Sequence, residues 1–287
     1  MIQTIKNKYL TLQIDSQGAE AIHLVYKGKN YLRERDEVWD RTAPILFPIV
    51  GRLKDGYAIY NDKKITLGVH GFAAQREFKV IDKKEDEITF FDKYDEATLN
   101  VYPFKYELYV TYKLNKKSYD TIIKVKNIDE VSYKYNIGGH PGIVCPLNKG
   151  EEFNDYHIKF NKKETFSSPS IYGGCMLDFD HPSFEFINVD RIDLDYKYFL
   201  VDAIINRNLK SDEIYLLNQS DHGIKFTYNG FNTIAFWTRP GSKYLCFEPW
   251  HGYADLYDTN QDFLTKPDLI EIKPTEVKTV SFNIEII

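Results

Sequence analysis

The stretch Lys105-Tyr-Glu-Leu-Tyr-Val-Thr-Tyr-Lys-Leu-Asn-Lys-Lys-Ser-Tyr-Asp-Thr-Ile-Ile-Lys-Val-Lys-Asn127 decides the fold class. Tyr106, Leu108, Val110, Tyr112 and Leu114 recur at every second position, with Lys105, Glu107, Thr111 and Lys113 between them. A period of two puts the first set on one face of an extended chain and the second on the other, the pattern of a half-buried strand. Asn115-Lys116-Lys117 then separates it from Tyr119, Thr121, Ile123 and Val125, which alternate with Asp120, Lys124 and Lys126. The whole segment reads as an antiparallel hairpin.

The same alternation recurs outward from this hairpin. It appears over 76–93 around Glu85-Asp86, over 132–138, over 222–237 around Asn229-Gly230, and at the C-terminus through Val280, Phe282, Ile284 and Ile286. Helical periodicity is confined to a short turn from Asp95 to Val101, stopped by Pro103, whose ring cannot continue a helix. No Pro/Gly/Ser-rich linker, composition shift or repeat divides the chain. The expectation is an all-β sandwich of about twenty antiparallel strands with few short helices, residues 1–287 forming a single domain. Two stretches break the strand rhythm, 39–56 and 139–182, and loops on a rigid sheet are where sites tend to be built.

Composition narrows the function. The 287 residues include 22 Tyr, 19 Phe and 3 Trp, with 43% hydrophobic residues overall, enough to bury a large core. The net charge of −5 is spread without a basic stripe, which argues against a nucleic-acid partner. The N-terminus lacks the apolar core of a signal peptide, and no apolar run approaches the ~18 residues that span a bilayer. A soluble, cytoplasmic protein without a membrane partner is expected, which makes the sequon Asn218-Gln219-Ser220 a chance match. Cys145, Cys175 and Cys246 are widely spaced and unpaired, so all three read as buried apolar fillers. The seven histidines show no ligand spacing and no accompanying Cys/His cluster, so no metal site is expected. Phosphate-binding, dinucleotide, zincin and α/β-hydrolase signatures are absent.

Three segments place an ionisable group in an apolar, Gly/Pro-marked setting: Val69-His70-Gly71-Phe72, Gly138-Gly139-His140-Pro141-Gly142 and Cys246-Phe247-Glu248-Pro249-Trp250-His251-Gly252. Such settings shift pKa values by desolvation. A carboxylate at the end of the strand-like Tyr244–Phe247 is costly unless used or paired. A fourth segment sets Arg52 between Gly51 and Gly56. Trp39, Trp237 and Trp250 are candidates for stacking a sugar ring.

In this order, the segments Ala43-Pro44-Ile45-Leu46-Phe47-Pro48 with Gly51-Arg52-Leu53, His70-Gly71-Phe72, Glu96 to Phe104, Asn136-Ile137-Gly138-Gly139-His140-Pro141 and Phe247-Glu248-Pro249-Trp250 resemble the aldose 1-epimerase (galactose mutarotase) superfamily. The resemblance is to its mutarotase-related branch associated with bacterial lactose and galactose operons. It implies a β-supersandwich whose concave face holds a monosaccharide, with no cofactor and no metal. The implied reaction interconverts the α and β anomers of a free aldose. Carried over by position, the catalytic base is Glu248 and the catalytic acid His140. His70 and Arg52 make further polar contacts to the sugar, and Asp202 in Phe199–Ile204 binds hydroxyls. Three other readings stay open. One is a hexose-6-phosphate 1-epimerase, with Arg41, Arg76 and Arg239 as candidate phosphate ligands. Another is a non-catalytic carbohydrate-binding or sugar-sensing protein. The third is a glycoside hydrolase using Glu248 and Asp202, which requires two carboxylates about 5–9.5 Å apart. Oligomeric state is not encoded in any feature of the sequence.

Overall fold

The computed structural model describes residues 1–37, 39–173 and 175–287. It contains twenty-three strands among the described residues, one short α-helix and five short 3-10 turns. The strands are antiparallel wherever they pair in sheets. Tyr106–Asn115 and Ser118–Asn127 form the expected hairpin, with Asn115 paired to Ser118 across Lys116-Lys117. Tyr106, Leu108, Val110, Tyr112 and Leu114 are all buried, as their alternation predicts. The helix, Glu96–Val101, also falls where expected. Asp95 caps it by accepting from Thr98 N, and the Thr98 hydroxyl accepts from Asp95 N, so two orphan amides are satisfied reciprocally.

A nine-stranded sheet carries the hairpin beside its central strand, Val277–Ile286. Its order is Met176–Asp193, Tyr156–Tyr172, Glu213–Asn218, Gly223–Asn229, Val277–Ile286, Ser118–Asn127, Tyr106–Asn115, Glu87–Lys93 and Lys79–Lys83. A six-stranded sheet runs Ile204–Arg207, Thr233–Trp237, Tyr244–His251, Ile137–Gly139 and Ile45–Leu46, with Gly142–Val144 also pairing to Tyr244–His251. Phe226 and Phe282 of the larger sheet stack 5.7 Å apart, and Phe226 meets Phe247 of the smaller sheet at 5.4 Å. These rings fill the space between the two layers, the usual way facing sheets share a core.

Strand alternation decides what the smaller sheet offers on its other side. Ile45, Ile204, Ile234 and Phe236 belong to the main core, while their chain neighbours Leu46, Ile205 and Ala235 join a second apolar cluster with Trp250, Tyr253 and Ala254. In Tyr244–His251, Phe247 likewise points into the main core. Tyr244, Cys246, Glu248 and Trp250 therefore share the opposite face. That face carries the cavity described below.

Strands form on both sides of Asn229-Gly230 as expected, and one expectation about the strand pattern, that for 139–182, is corrected. The alternating halves around Asn229-Gly230 belong to different sheets: Gly223–Asn229 lies in the nine-stranded sheet and Thr233–Trp237 in the six-stranded one. Local alternation reports a buried face but not which partner strand covers it. The stretch 139–182 contains most of a long pair, Tyr156–Tyr172 with Met176–Asp193, rather than irregular loop. Register shifts at Lys159/Glu164, Glu164/Phe166, Ser168/Pro169 and Pro169/Ser170 interrupt that ladder. Each shift leaves an odd number of residues unmatched, one or three, which breaks the alternation along the pair and erases the period-two signal. The stretch 39–56 is irregular as expected, apart from Ile45–Leu46 and the turn Lys54–Gly56. Among the described residues, no helix is long and apolar enough to cross a membrane.

Candidate active site

A cavity of about 570 Å³ opens on the free face of the six-stranded sheet and is lined by Arg52, His70, His140, Asp202, Glu248 and Trp250. The six residues that the family resemblance and the segment around Glu248 put forward for catalysis or sugar contact thus meet in one place, although they come from several segments far apart in the chain.

Glu248 sits on Tyr244–His251, paired across to Ala235 on one side of the sheet. His140 immediately follows Ile137–Gly139, with its backbone N–H donating to Pro44 O at 3.1 Å and Phe247 N donating to Pro141 O at 3.1 Å. These bonds seat His140 beside Glu248, and His140 Nε2 lies 3.0 Å from Glu248 Oε2. Gly138, two residues earlier, is required by close approach: a Cβ there would lie 2.8 Å from Trp250 Cδ1. Both side chains of the pair are buried. Burial pushes the Glu248 carboxyl well above the usual carboxylate range, and neighbouring Asp202 adds to this. The Trp250 indole N–H opposes that shift, although it makes no well-aligned hydrogen bond. Burial holds His140 well below its ordinary value, helped by His70 and by the charge of Arg33. The resting pair therefore favours its neutral forms, a carboxylic acid beside an imidazole. That is one proton shared across 3.0 Å, the same proton count as a carboxylate beside an imidazolium.

His70 occupies a left-handed backbone position, φ 62°. Its N–H donates to Gly51 O at 2.8 Å, and Gly51 N–H donates to His70 Nδ1 at 3.1 Å. The ring lies 5.5 Å from that of His140. Burial, and secondarily the charge of Arg52, lowers the His70 pKa to about 4. Arg52 stands on the adjoining loop, held by Asp255 N donating to Arg52 O at 2.9 Å. Asp202 lines the other wall. Its carboxylate accepts from Ala203 N at 2.9 Å and from the Cys175 thiol at 3.4 Å. Burial raises its pKa, while Cys175, Ala203 and Arg52 oppose the rise.

Three sequence expectations need amendment here. Cys145 and Cys246 are buried fillers, but Cys175 is only half-buried and lines the cavity beside Asp202. Its position just before Met176 carries no sequence signal that would distinguish it from a core thiol. Among the candidate phosphate ligands, Arg41 and Arg239 line the cavity but Arg76 does not. Arg76 is instead held by Asp92 at 2.9 Å and Asp95 at 2.6 Å, and Arg41 leans on the buried Glu20 at 3.5 Å. Finally, His140, Cys246 and Glu248 bring their ligating atoms within 4.8 Å of one another, a set of donors that linear spacing does not reveal. Two of the three are already hydrogen-bonded to each other. Trp39 and Trp237 join Trp250 on the cavity wall, with the Trp39 ring 4.8 Å from that of His140 and tilted 42° to it.

A family model for aldose 1-epimerase matches residues 1–285. The chain belongs to the aldose 1-epimerase family. It is 33% identical to the chromosomal LacX protein of Lactococcus lactis subsp. lactis over 294 residues, covering 99% of this chain and 98% of that protein. Among solved structures it is similar to a galactose mutarotase related enzyme from Lactobacillus acidophilus, with a TM-score of 0.93 and 29% identity, covering 100% and 97% of the two chains. It is likewise similar to a galactose mutarotase-like protein from Lactobacillus casei, with a TM-score of 0.93 and 25% identity over the whole of both chains. The all-β, antiparallel architecture read from the strand rhythm is thus that of the galactose mutarotase-like fold. As an aldose 1-epimerase family member the protein has a sugar as the class of its substrate and a mutarotase-like isomerisation as its general kind of reaction.

Proposed function

We propose that this family member interconverts the α and β anomers of a free hexose by acid–base opening and closure of the ring. The observation that carries this reading is the 3.0 Å contact between His140 Nε2 and Glu248 Oε2 at the cavity wall. Opening a cyclic hemiacetal removes the proton of the anomeric hydroxyl and delivers one to the ring oxygen. It therefore needs a base and an acid separated by the width of C1 and its two oxygens. A sugar that slides between the pair separates the shared proton from the carboxylate. Glu248 then takes the C1-hydroxyl proton while His140 gives its proton to the ring oxygen. The bond between C1 and the ring oxygen breaks, and the open aldehyde forms. After rotation about C1–C2, His140 recovers the hydroxyl proton as the oxygen attacks the opposite face of C1, and Glu248 returns its proton to the new anomeric hydroxyl.

The remaining residues position the sugar and answer the charge that moves. His70, kept neutral by burial and by Arg52, offers an N–H to the ring-oxygen region. Arg52 and Asp202 fix hydroxyls, and Trp250 supplies an apolar wall. Holding the reacting atoms in register contributes several kcal/mol, on the order of that seen for intramolecular reactions. The reading takes residues 1–287 as one unit, supported by a main core that runs from Ile5 to Ile286.

The test is NMR exchange spectroscopy, or polarimetry, on a panel of free and 6-phosphorylated hexoses. Faster anomer exchange of free galactose or glucose than in buffer is the expected result. Exchange at the buffer rate for every sugar, with binding retained, would move the protein to the sugar-sensing class.

A further inference from the structure

Arg33 is buried, 3% exposed, and does not line the cavity. The carboxylate it meets, Asp36 at 2.9 Å, is itself 54% exposed. A guanidinium taken that far from water must be held by other groups. Its Nη1 donates to Trp39 O at 2.6 Å and to Arg41 O, so it ties the backbone at Trp39 and Arg41 to the segment that carries Arg33. Its central carbon packs 4.7 Å from the Trp39 ring and 4.6 Å from the Tyr244 ring. These rings stack 5.8 Å apart. An arginine whose Nη1 donates to two carbonyls while its flat guanidinium lies against two aromatic faces combines hydrogen bonding with a cation–π contact in a way the lysine ammonium does not.

The same residue is tied to the segment that carries His140. Arg33 N–H donates to Gly142 O at 2.9 Å, and a Cβ on Gly142 would stand 2.8 Å from Arg33 Cγ. Glycine at this position is therefore what lets the Arg33 stem pass beneath the His140-Pro141-Gly142 turn. On the far side of the clamp, the Trp39 indole lies 4.8 Å from the His140 ring and 5.4 Å from Trp237. We propose that Arg33 is a positioning residue that pins the Trp39 indole against His140, fixing the orientation of the imidazole and the tryptophan wall of the sugar cavity. This builds on the proposed anomerase role for His140, but the geometry of the clamp is independent of it.

Two readouts test the clamp. With the three tryptophans replaced by 5-fluorotryptophan and their resonances assigned by Trp39→Phe and Trp237→Phe, fluorine NMR of Arg33→Met should move or broaden the Trp39 and Trp237 signals while Trp250 stays in place. In anomer exchange, Arg33→Met and Trp39→Phe should each lower kcat/KM by about tenfold. The double variant should fall no further than the worse single variant, because both remove the same support. Arg33→Lys, which keeps the charge and one donor, should recover part of the loss. An unmoved Trp39 resonance, or losses that multiply in the double variant, would overturn the proposal. If Arg33→Met does not fold, the same two readouts on Arg33→Lys decide, with an unmoved Trp39 signal counting against the clamp. A wild-type protein without anomerase activity would sink the functional reading, while the fluorine measurement would still decide this one.

Discussion

The backbone N–H of Gly51 donates to Nδ1 of His70 at 3.1 Å, which makes Nδ1 the acceptor of the ring and leaves Nε2 to carry the proton of the neutral imidazole. A neutral imidazole has one donor and one acceptor nitrogen, so the partner of one fixes the role of the other. The loop that carries Arg52 thereby sets the tautomer of His70. His70→Asn, which tolerates the left-handed backbone of this position, keeps an acceptor for Gly51 but shortens the reach of the donor. It should lower kcat/KM for anomer exchange by about 10²-fold, as loss of one such donor does elsewhere. Polarimetry at neutral pH measures this.

His70 also makes stability depend on pH. Its folded pKa is lowered to about 4, below the ordinary value near 6.5 that it regains on unfolding. The unfolded state therefore binds the proton first. The contribution is fully present above about pH 6.5 and is lost as pH falls toward about 4. Urea unfolding across this window should show the wild-type losing stability more steeply than His70→Asn; parallel curves would contradict a buried neutral His70.

The His140–Glu248 pair should give a bell-shaped pH dependence of kcat/KM. The active form carries one proton between the two residues. A second proton on the acid side occupies the base, and loss of the shared proton on the alkaline side removes the acid. Glu248→Gln and His140→Asn should each fold yet reduce anomer exchange by about 10²–10⁴-fold. Full activity of His140→Asn would transfer the acid role to His70.

Lys266 Nζ lies 2.7 Å from Asp255 Oδ1, with both side chains 3% exposed. Burial lowers the Lys266 pKa and the Asp255 carboxylate opposes this. Asp255 Oδ2 also accepts from Lys54 N at 2.9 Å, so the pair anchors the loop that presents Arg52. Lys266→Met leaves the carboxylate buried and uncompensated and should cost about 3–5 kcal/mol in denaturant unfolding. Adding Asp255→Asn should restore part of it, because the stranded charge is gone.

Arg76 separates a structural arginine from a ligand. Its guanidinium is held by Asp92 and Asp95, and Asp92 also accepts from the Tyr106 hydroxyl at 2.9 Å. Arg76→Gln should lower the melting temperature, at a cost of about 1–3 kcal/mol for the stranded Asp92. The ratio of rates on 6-phosphorylated and free hexoses should not change. A change in that ratio alone would place Arg76 in the cavity.

What the sequence by itself determined follows from the regular ladder. Where pairing is uninterrupted, as over Tyr106–Asn127, side chains alternate strictly and the buried face can be read from residue type. The motifs around His70, His140 and Glu248 were legible because glycine and proline mark where backbone must bend or approach closely, as at Gly138 against Trp250. Tertiary structure decided the rest. Bulges hid the long strands of 156–193, and only the sheet order shows that the two sides of Asn229-Gly230 part company. The thiol of Cys175, the clamp at Arg33 and the engagement of Arg76 also depend on partners distant in the chain. A sequence records which groups need a partner; only the packed fold, where burial removes water as the alternative, decides which partner each one finds.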